Sequence, residues 1–149
     1  MSLYDNTLPT VDPRNIVRGK YGAVYDDNGE QWAEVTEFEG KIKFDKKKIE
    51  RANAFLDGNR IMGGSATGKM KMYHTAKAKE LAIRILKNPD QTFTIVGDYH
   101  DPDEKSQEAN MKVAFKGVSF DEVTLLGFKV KDLVDDDFPF TFDDFEIIE

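Results

Sequence analysis

The sequence predicts a mainly β protein with one α-helix: a β-sandwich or barrel of about seven strands, a helix on its flank and one long inter-strand loop. Three observations carry that reading. Apolar and polar residues alternate with the period of a strand in several separate runs; one stretch, about Ala76 to Lys87, has the 3.6-residue period of an amphipathic helix; and turn-forming clusters such as Asn28-Gly29 and Asp101-Pro102-Asp103 stand between the runs. With 149 residues the chain is one domain by length, large enough to bury a core without disulfides or metal.

Leu8-Pro9 and Asp12-Pro13 punctuate a polar start, which reads as an irregular N-terminal arm over residues 1–20. Tyr21–Tyr25 and Gln31–Val35 then flank Asn28-Gly29, two residues that tolerate the positive φ of a tight hairpin turn. The second of these strands looks long. After a phase slip near Thr36, Phe38, Ile42 and Phe44 share one face with Gly40, while Glu37, Glu39, Lys41 and Lys43 share the other, so one side is buried and one wet.

From Asp45 to Ala66 the alternation dissolves into Lys46-Lys47-Lys48, Asp57-Gly58-Asn59 and Gly63-Gly64, which predicts a long loop where compact domains usually connect elements with about four to six residues. Alternation resumes at Lys69–Tyr73. Thr75 is a natural N-cap for a helix over 76–87, whose apolar stripe is Ala78, Leu81, Ala82, Ile85 and Leu86 and which Asn88-Pro89 stops. Four further strands are expected at about Thr92–His100, Met111–Phe120, Val123–Val130 and Phe138–Ile147.

The C-terminal segment 138–149 joins a strand pattern to unrelieved negative charge, for no Lys or Arg follows Lys131. Phe138, Phe140 and Phe142 would share one face; Phe145 and Ile147 run in the opposite phase, which a one-residue bulge near Asp143-Asp144 would restore. A terminus built this way is a packed strand whose acidic side needs water or a basic partner, and we read it as half of a self-assembly interface.

Charge is segregated along the chain. Residues 41–88 hold thirteen Lys and Arg against four Asp and Glu, whereas the whole chain carries a net charge of −7. Segments of opposite sign can pair within or between molecules, and the overall acidity disfavours nucleic-acid binding through the basic segment. The chain has no cysteine, which excludes disulfide scaffolds, Cys-ligated zinc, iron–sulfur clusters and thiol nucleophiles. Met1–Asn6 has neither a basic nor an apolar leader character, and no apolar run approaches membrane-spanning length, so no membrane anchor is expected.

Candidate chemistry fails residue by residue. Gly63-Gly64-Ser65-Ala66-Thr67-Gly68-Lys69 spells most of a phosphate-binding P-loop, but Met70 stands where a hydroxyl must reach Mg²⁺ and a strand follows instead of a helix. His74 and His100 are the two histidines and lack supporting ligands. Asp98, His100, Asp101 and Asp103 lack the glycine hinge and terminal glutamate of a calcium loop, and Asp143 and Asp144, as strand neighbours, point to opposite faces. The sequence therefore predicts no catalytic, metal or cofactor-binding residues, and no enzyme.

Arg60-Ile61-Met62-Gly63-Gly64, Thr67–Tyr73, Val123-Thr124-Leu125-Leu126-Gly127-Phe128 and Phe138–Phe145 together resemble, in order and spacing, the tail tube proteins of contractile-tailed phages and phage-like elements of the PBSX defective-prophage type. The resemblance covers about Arg60 to Ile147 and is most specific around Tyr73 and in the Phe-rich C-terminus. It implies a structural protein of the virion tail, assembled in the bacterial host cytoplasm. Hexameric rings would stack head to tail into a hollow conduit for DNA or, in a bacteriocin-like particle, another cargo. Implied partners are other copies of the chain, the tail sheath, baseplate and tail terminator proteins, and, transiently in the lumen, the tape-measure protein and DNA.

On that resemblance the long loop bridges successive rings through Lys46, Lys47, Lys48, Arg51, Phe55 and Arg60. Its docking surface would be the N-terminal arm and the acidic residues Asp135, Asp136, Asp137, Asp143 and Asp144, with Glu37 and Glu39 facing the lumen. The alternative is a small-molecule-binding β-barrel, a monomer with a pocket lined by Trp32, Phe93 and Phe115.

Overall fold

A computed structural model describes residues 12–148. Much of the expected N-terminal arm, with Leu8-Pro9, lies outside these residues; its remainder forms two single turns of 3-10 helix, Pro13–Asn15 and Gly19–Tyr21. Seven strands follow, all joined by antiparallel pairing: β1 (Gly22–Tyr25), β2 (Val35–Ile49), β3 (Gly58–Tyr73), β4 (Phe93–Tyr99), β5 (Met111–Phe120), β6 (Asp135–Thr141) and β7 (Asp144–Ile147). One helix, α1 (Ala76–Lys87), separates β3 from β4.

The strand order is β1-β4-β5-β6-β3-β2, with β7 also on β5. β5 serves two layers. Its residues Val113–Phe115 pair β4 on one edge and Val113–Lys116 pair β7 on the other, while Ser119 and Phe120 pair β6. The change of partner falls at Gly117, whose φ of +65° suits glycine, and a Cβ there would lie 2.7 Å from the Asp143 carboxylate. Where the sequence suggests one C-terminal strand with a bulge near Asp143-Asp144, the chain breaks after Thr141 and passes from one layer to the other.

Between the layers the aromatic side chains close the core. Phe38 of β2 lies 5.6 Å from Phe115 of β5 and 5.8 Å from Phe140 of β6, and Phe115 meets Phe142 edge-on at 4.9 Å. Phe138, Phe140 and Phe142 are all buried, as their shared phase requires. Their approach depends on a glycine pair. Gly40 and Gly68 face each other across β2 and β3, and a Cβ on either would sit 2.6 Å from Phe115 or 2.5 Å from Phe140. From α1, Ala78, Leu81 and Ile85 join this core, and Thr75 Oγ1 accepts the Ala78 N–H; Leu86, at the edge of the predicted stripe, is exposed.

The Asn28-Gly29 turn forms, with Gly29 at φ +82°. Its second arm is shorter than expected, because only Gln31 bridges Tyr25 and Trp32 donates to Val24 before β2 starts at Val35. The phase slip near Thr36 is a register shift between Val35 and Glu37.

Two expectations need correction. The segment Asp45–Ala66 is not a long loop: β2 continues to Ile49, β3 starts at Gly58, and residues 50–57 alone turn between them. The pattern was obscured because a two-stranded ribbon that buries little has no need of apolar alternation, so lysines and glycines can occupy paired positions. The segment Val123–Val130 is not a strand. It belongs to an irregular connection, residues 121–134, in which Val123 packs against the core while Leu125, Leu126, Phe128, Val130 and Leu133 are exposed.

Candidate assembly surfaces

The residues of the motifs weighed for chemistry each have a structural place. Gly63–Lys69 lies inside β3, so it presents no helix N-terminus to a phosphate. His74 Nδ1 is 2.7 Å from Asp136 Oδ2, a contact that fastens the end of β3 to β6. His100 follows β4 and donates its backbone N–H to Tyr21. Asp101 is buried and committed to Arg18, and Asp103 accepts the Lys105 N–H.

Beyond Ala66, β3 has left β6 behind and β2 and β3 pair only with each other, out to Ile49 opposite Gly58. The result is a projecting two-stranded arm of nine β2 residues past Gly40, about 30 Å at the strand rise. A register shift between Asp45 and Lys46 places Met62 in a bulge and twists the arm midway. Ile42, Phe44 and Ile61 extend the core-facing side of the sheet past the end of the core and are exposed, Phe44 at 58%.

The predicted stacking residues all fall on this arm. Lys46 and Lys48 share one face, Lys47 takes the other and lies opposite Arg60, and Lys48 reaches Asp57 at 3.5 Å. At the tip, Arg51 Nη2 donates to the Leu56 carbonyl at 2.8 Å, while Phe55 is fully exposed at 101%.

Glu37 and Glu39 point away from the core, as read, but not onto an acidic face. Lys69 lies 3.4 Å from Glu37 and 4.0 Å from Glu39, Lys41 lies 3.6 Å from Glu39, and Lys71 lies 3.9 Å from Asp137. Alternation along three neighbouring strands thus builds a ladder of mixed charges. The acidic docking residues divide. Asp135 and Asp137 lie on this outer face, Asp136 is turned inward to His74, Asp143 backs Gly117, and Asp144 accepts the Phe145 N–H. Burial at 7% relative exposure removes Asp136 from any docking surface.

A cleft of about 910 Å³ opens between β1, β4 and β5 on one side and the first residues of β2 on the other. Val24, Trp32, Phe38, Tyr99, Val113 and Phe115 supply much of its apolar wall, and its charged lining residues are Glu37, Glu39 and Asp98. Two residues of the predicted ligand pocket, Trp32 and Phe115, do line it. Phe93 does not: it packs edge-on to Phe120 at 5.3 Å, with Arg84 over its ring at 5.1 Å.

The surface that sequence reading missed is the connection 121–134. Leu125, Leu126, Phe128, Val130 and Leu133 are all exposed, Leu126 to 87%. Their alternation was visible, but alternation also arises where side chains await a partner outside the chain.

Residues 9–149 match the family model described as "Phage tail tube protein". The phage-like element PBSX protein XkdM of Bacillus subtilis (strain 168) is 25% identical over 139 residues, covering 91% of this chain and 92% of XkdM. A chain of the sheath–tube complex of an extracellular contractile injection system (PVC) in its extended state superimposes with a TM-score of 0.68 at 11% identity, covering 89% of this chain and 90% of that one. A chain from the tail of an empty gene transfer agent particle, refined with C6 symmetry, gives a TM-score of 0.64 at 11% identity, covering 89% and 98%. At such identities the likeness in structure establishes a shared fold.

Proposed function

This chain belongs to the phage tail tube family, and from that premise we propose that it is the structural subunit of a contractile tail tube, six copies forming a ring and rings stacking into a hollow conduit for DNA or injected cargo. The observation that carries the stacked arrangement is the β2–β3 arm. It projects from the sheet with exposed apolar residues on one side and Lys46, Lys47, Lys48, Arg51 and Arg60 along it, on a chain whose C-terminal segment is acidic. An arm on one end and a receiving surface elsewhere make a head-to-tail contact, which repeats without closing. Six-fold rings are supported by the C6 symmetry of the gene transfer agent tail.

The outer face bearing Glu37 and Glu39 is our candidate lumen wall. Lys41, Lys69 and Lys71 each have a carboxylate within 4.0 Å, so they are already neutralised and offer a passing polyanion little hold. Asp135, Asp137, Asp143 and Asp144 remain candidates for docking a basic arm. The sheath, a baseplate, a terminator and a tape-measure protein are the partners such a tube requires, and the virion tail is its location. The exposed residues of 121–134 are available to a lateral partner, a neighbour in the ring or the sheath. This role needs no catalysis.

Negative-stain microscopy of the purified chain at high concentration, together with antibody labelling of particles from its source culture, tests the proposal. Hollow tubes, labelled inside a contractile sheath, are the expected result. A monomer at every concentration with no labelled particle would overturn it and turn attention to the apolar cleft as a small-molecule site.

A further inference from the structure

We propose that the exposed connection 121–134 docks on the open edge of β7 in a second copy of this chain, with Leu126 and Phe128 against Phe145 and Ile147, and Lys129 and Lys131 against Asp144 and Glu146. The inference rests on the tube reading above and names one contact between its subunits. Among the described residues β7 pairs with β5 alone, so its other side is unpaired. Ile148 donates its N–H to the Lys112 carbonyl of β5, and by the alternation of an antiparallel pair the backbone groups of Phe145 and Ile147 face away from β5. There the Phe145 N–H turns to the carboxylate of its own neighbour, Asp144, and the two apolar side chains stay 41% and 56% exposed. Such an edge is a template for a further chain segment.

The connection carries what the edge lacks. Residues 123–131 contain no Asp or Glu, and residues 144–148 no Lys or Arg. Among the described residues neither Lys129 nor Lys131 has a carboxylate within 4.0 Å, and both are exposed in a turn where Asp132 donates its N–H to the Lys129 carbonyl. Lys116, 3.1 Å from Glu146, offsets that carboxylate in part. In an extended segment Leu126 and Phe128 share one side and Lys129 takes the other, just as Phe145 and Ile147 lie opposite Asp144 and Glu146. The strand-like alternation of Val123–Val130 thus finds its partner outside the subunit. Other segments of the chain match the edge less well. Residues 1–11 have Asp5 as their one charged side chain, so no Lys or Arg there meets the carboxylates. Lys46, Lys47 and Lys48 of the arm are consecutive, which puts charge on both faces of a strand where β7 has it on one. Within one subunit the connection and the edge do not meet: β7 lies beside Val113–Lys116, whereas the connection leaves β5 at Phe120 and runs to β6. The contact joins two different surfaces, so it repeats head to tail.

Because the chain has no cysteine, the contact can be trapped with introduced ones. Leu126→Cys is combined with Ile147→Cys, both at exposed positions; each single variant, and Leu126→Cys with Lys79→Cys on the exposed side of α1, are the controls. The assembled full-length chain is treated with a short bis-maleimide, so that trapping does not depend on register, and run on a denaturing gel. The paired variant should give a ladder of linked chains that the controls lack, stopping at six chains for a contact within the ring and running on for one between rings. A cross-link confined to the monomer band would show that the edge receives the connection of its own chain and would overturn the proposal. Tubes that form without the ladder would overturn it too, while leaving the tube reading in place. A chain that stays monomeric in sedimentation at every concentration would overturn both.

Discussion

Asp101 holds Arg18 in a two-pronged ion pair, Nε to Oδ2 at 2.9 Å and Nη2 to Oδ1 at 2.7 Å, and also accepts the Arg18 backbone N–H at 3.1 Å. The bond to the guanidinium, reinforced by backbone N–H groups of Asp103 and Arg18, keeps the Asp101 carboxyl well below the ordinary value of 3.8, against the opposing effect of its burial. The folded chain therefore stays ionised where the unfolded chain begins to protonate. The stability from this contact is present above about pH 4 and is lost as pH falls further, toward the depressed folded value. Asp101→Asn should flatten that part of the profile, read by urea unfolding at pH 5, 4 and 3. Parallel losses in variant and parent would show that the pair does not set the acid limit.

Gly68→Ala should destabilise the fold by about 1–3 kcal/mol, the usual cost of overpacking a filled core. The added methyl group would meet both the Glu39 carbonyl oxygen and the Phe140 ring at 2.5 Å, and a backbone carbonyl in a paired strand cannot swing aside. Denaturant unfolding measures the loss. An unchanged midpoint would mean that the β2–β3 register differs from the one described.

Reversing Lys46, Lys47 and Lys48 to Glu should impair stacking and leave the fold intact, since all three are exposed on the arm. Tubes shortened or absent by microscopy, with an unchanged circular dichroism spectrum, are expected. Testing Lys47→Glu separately distinguishes the two faces of the arm, because its side chain lies opposite that of Lys46 and Lys48. Normal tube length in the triple variant would remove the lysines from the stacking contact.

Replacing Leu125, Leu126 and Phe128 together with Gln should change stability by less than about 0.5 kcal/mol per site, the usual range for exposed positions. The same variant should lose lateral association in sedimentation or sheath co-assembly. A large drop in melting temperature would instead show that these side chains pack on their own chain.

The readable parts of this chain were those where burial imposes a period. Ala78, Leu81 and Ile85 announce α1 because they must meet the core, and Phe138, Phe140 and Phe142 announce a buried face. The slip at Thr36 was visible because Val35 and Phe38 are both packed against the core on either side of it. The arm was hidden for the converse reason: Lys46–Lys48 and Gly63-Gly64 pair through backbone groups, which leave no mark on side-chain pattern. Val123–Val130 misled in the opposite direction, carrying a strand's alternation with no strand to pair. The cleft joins Ile16, Trp32, Tyr99 and Phe115 from distant parts of the chain, a convergence that only topology determines.

A paired arm changes the thermodynamics of polymer growth. Fixing one residue's backbone costs about 1–2 kcal/mol, so a segment of this length that had to order at each docking event would oppose elongation by tens of kcal/mol. Residues 41–49 and 58–66 are already hydrogen-bonded to each other within the subunit, and only the few residues of the turn have much freedom left to lose. Subunit addition can then be fast and weakly temperature-dependent, with the entropic cost met once, during folding, and not again for every ring.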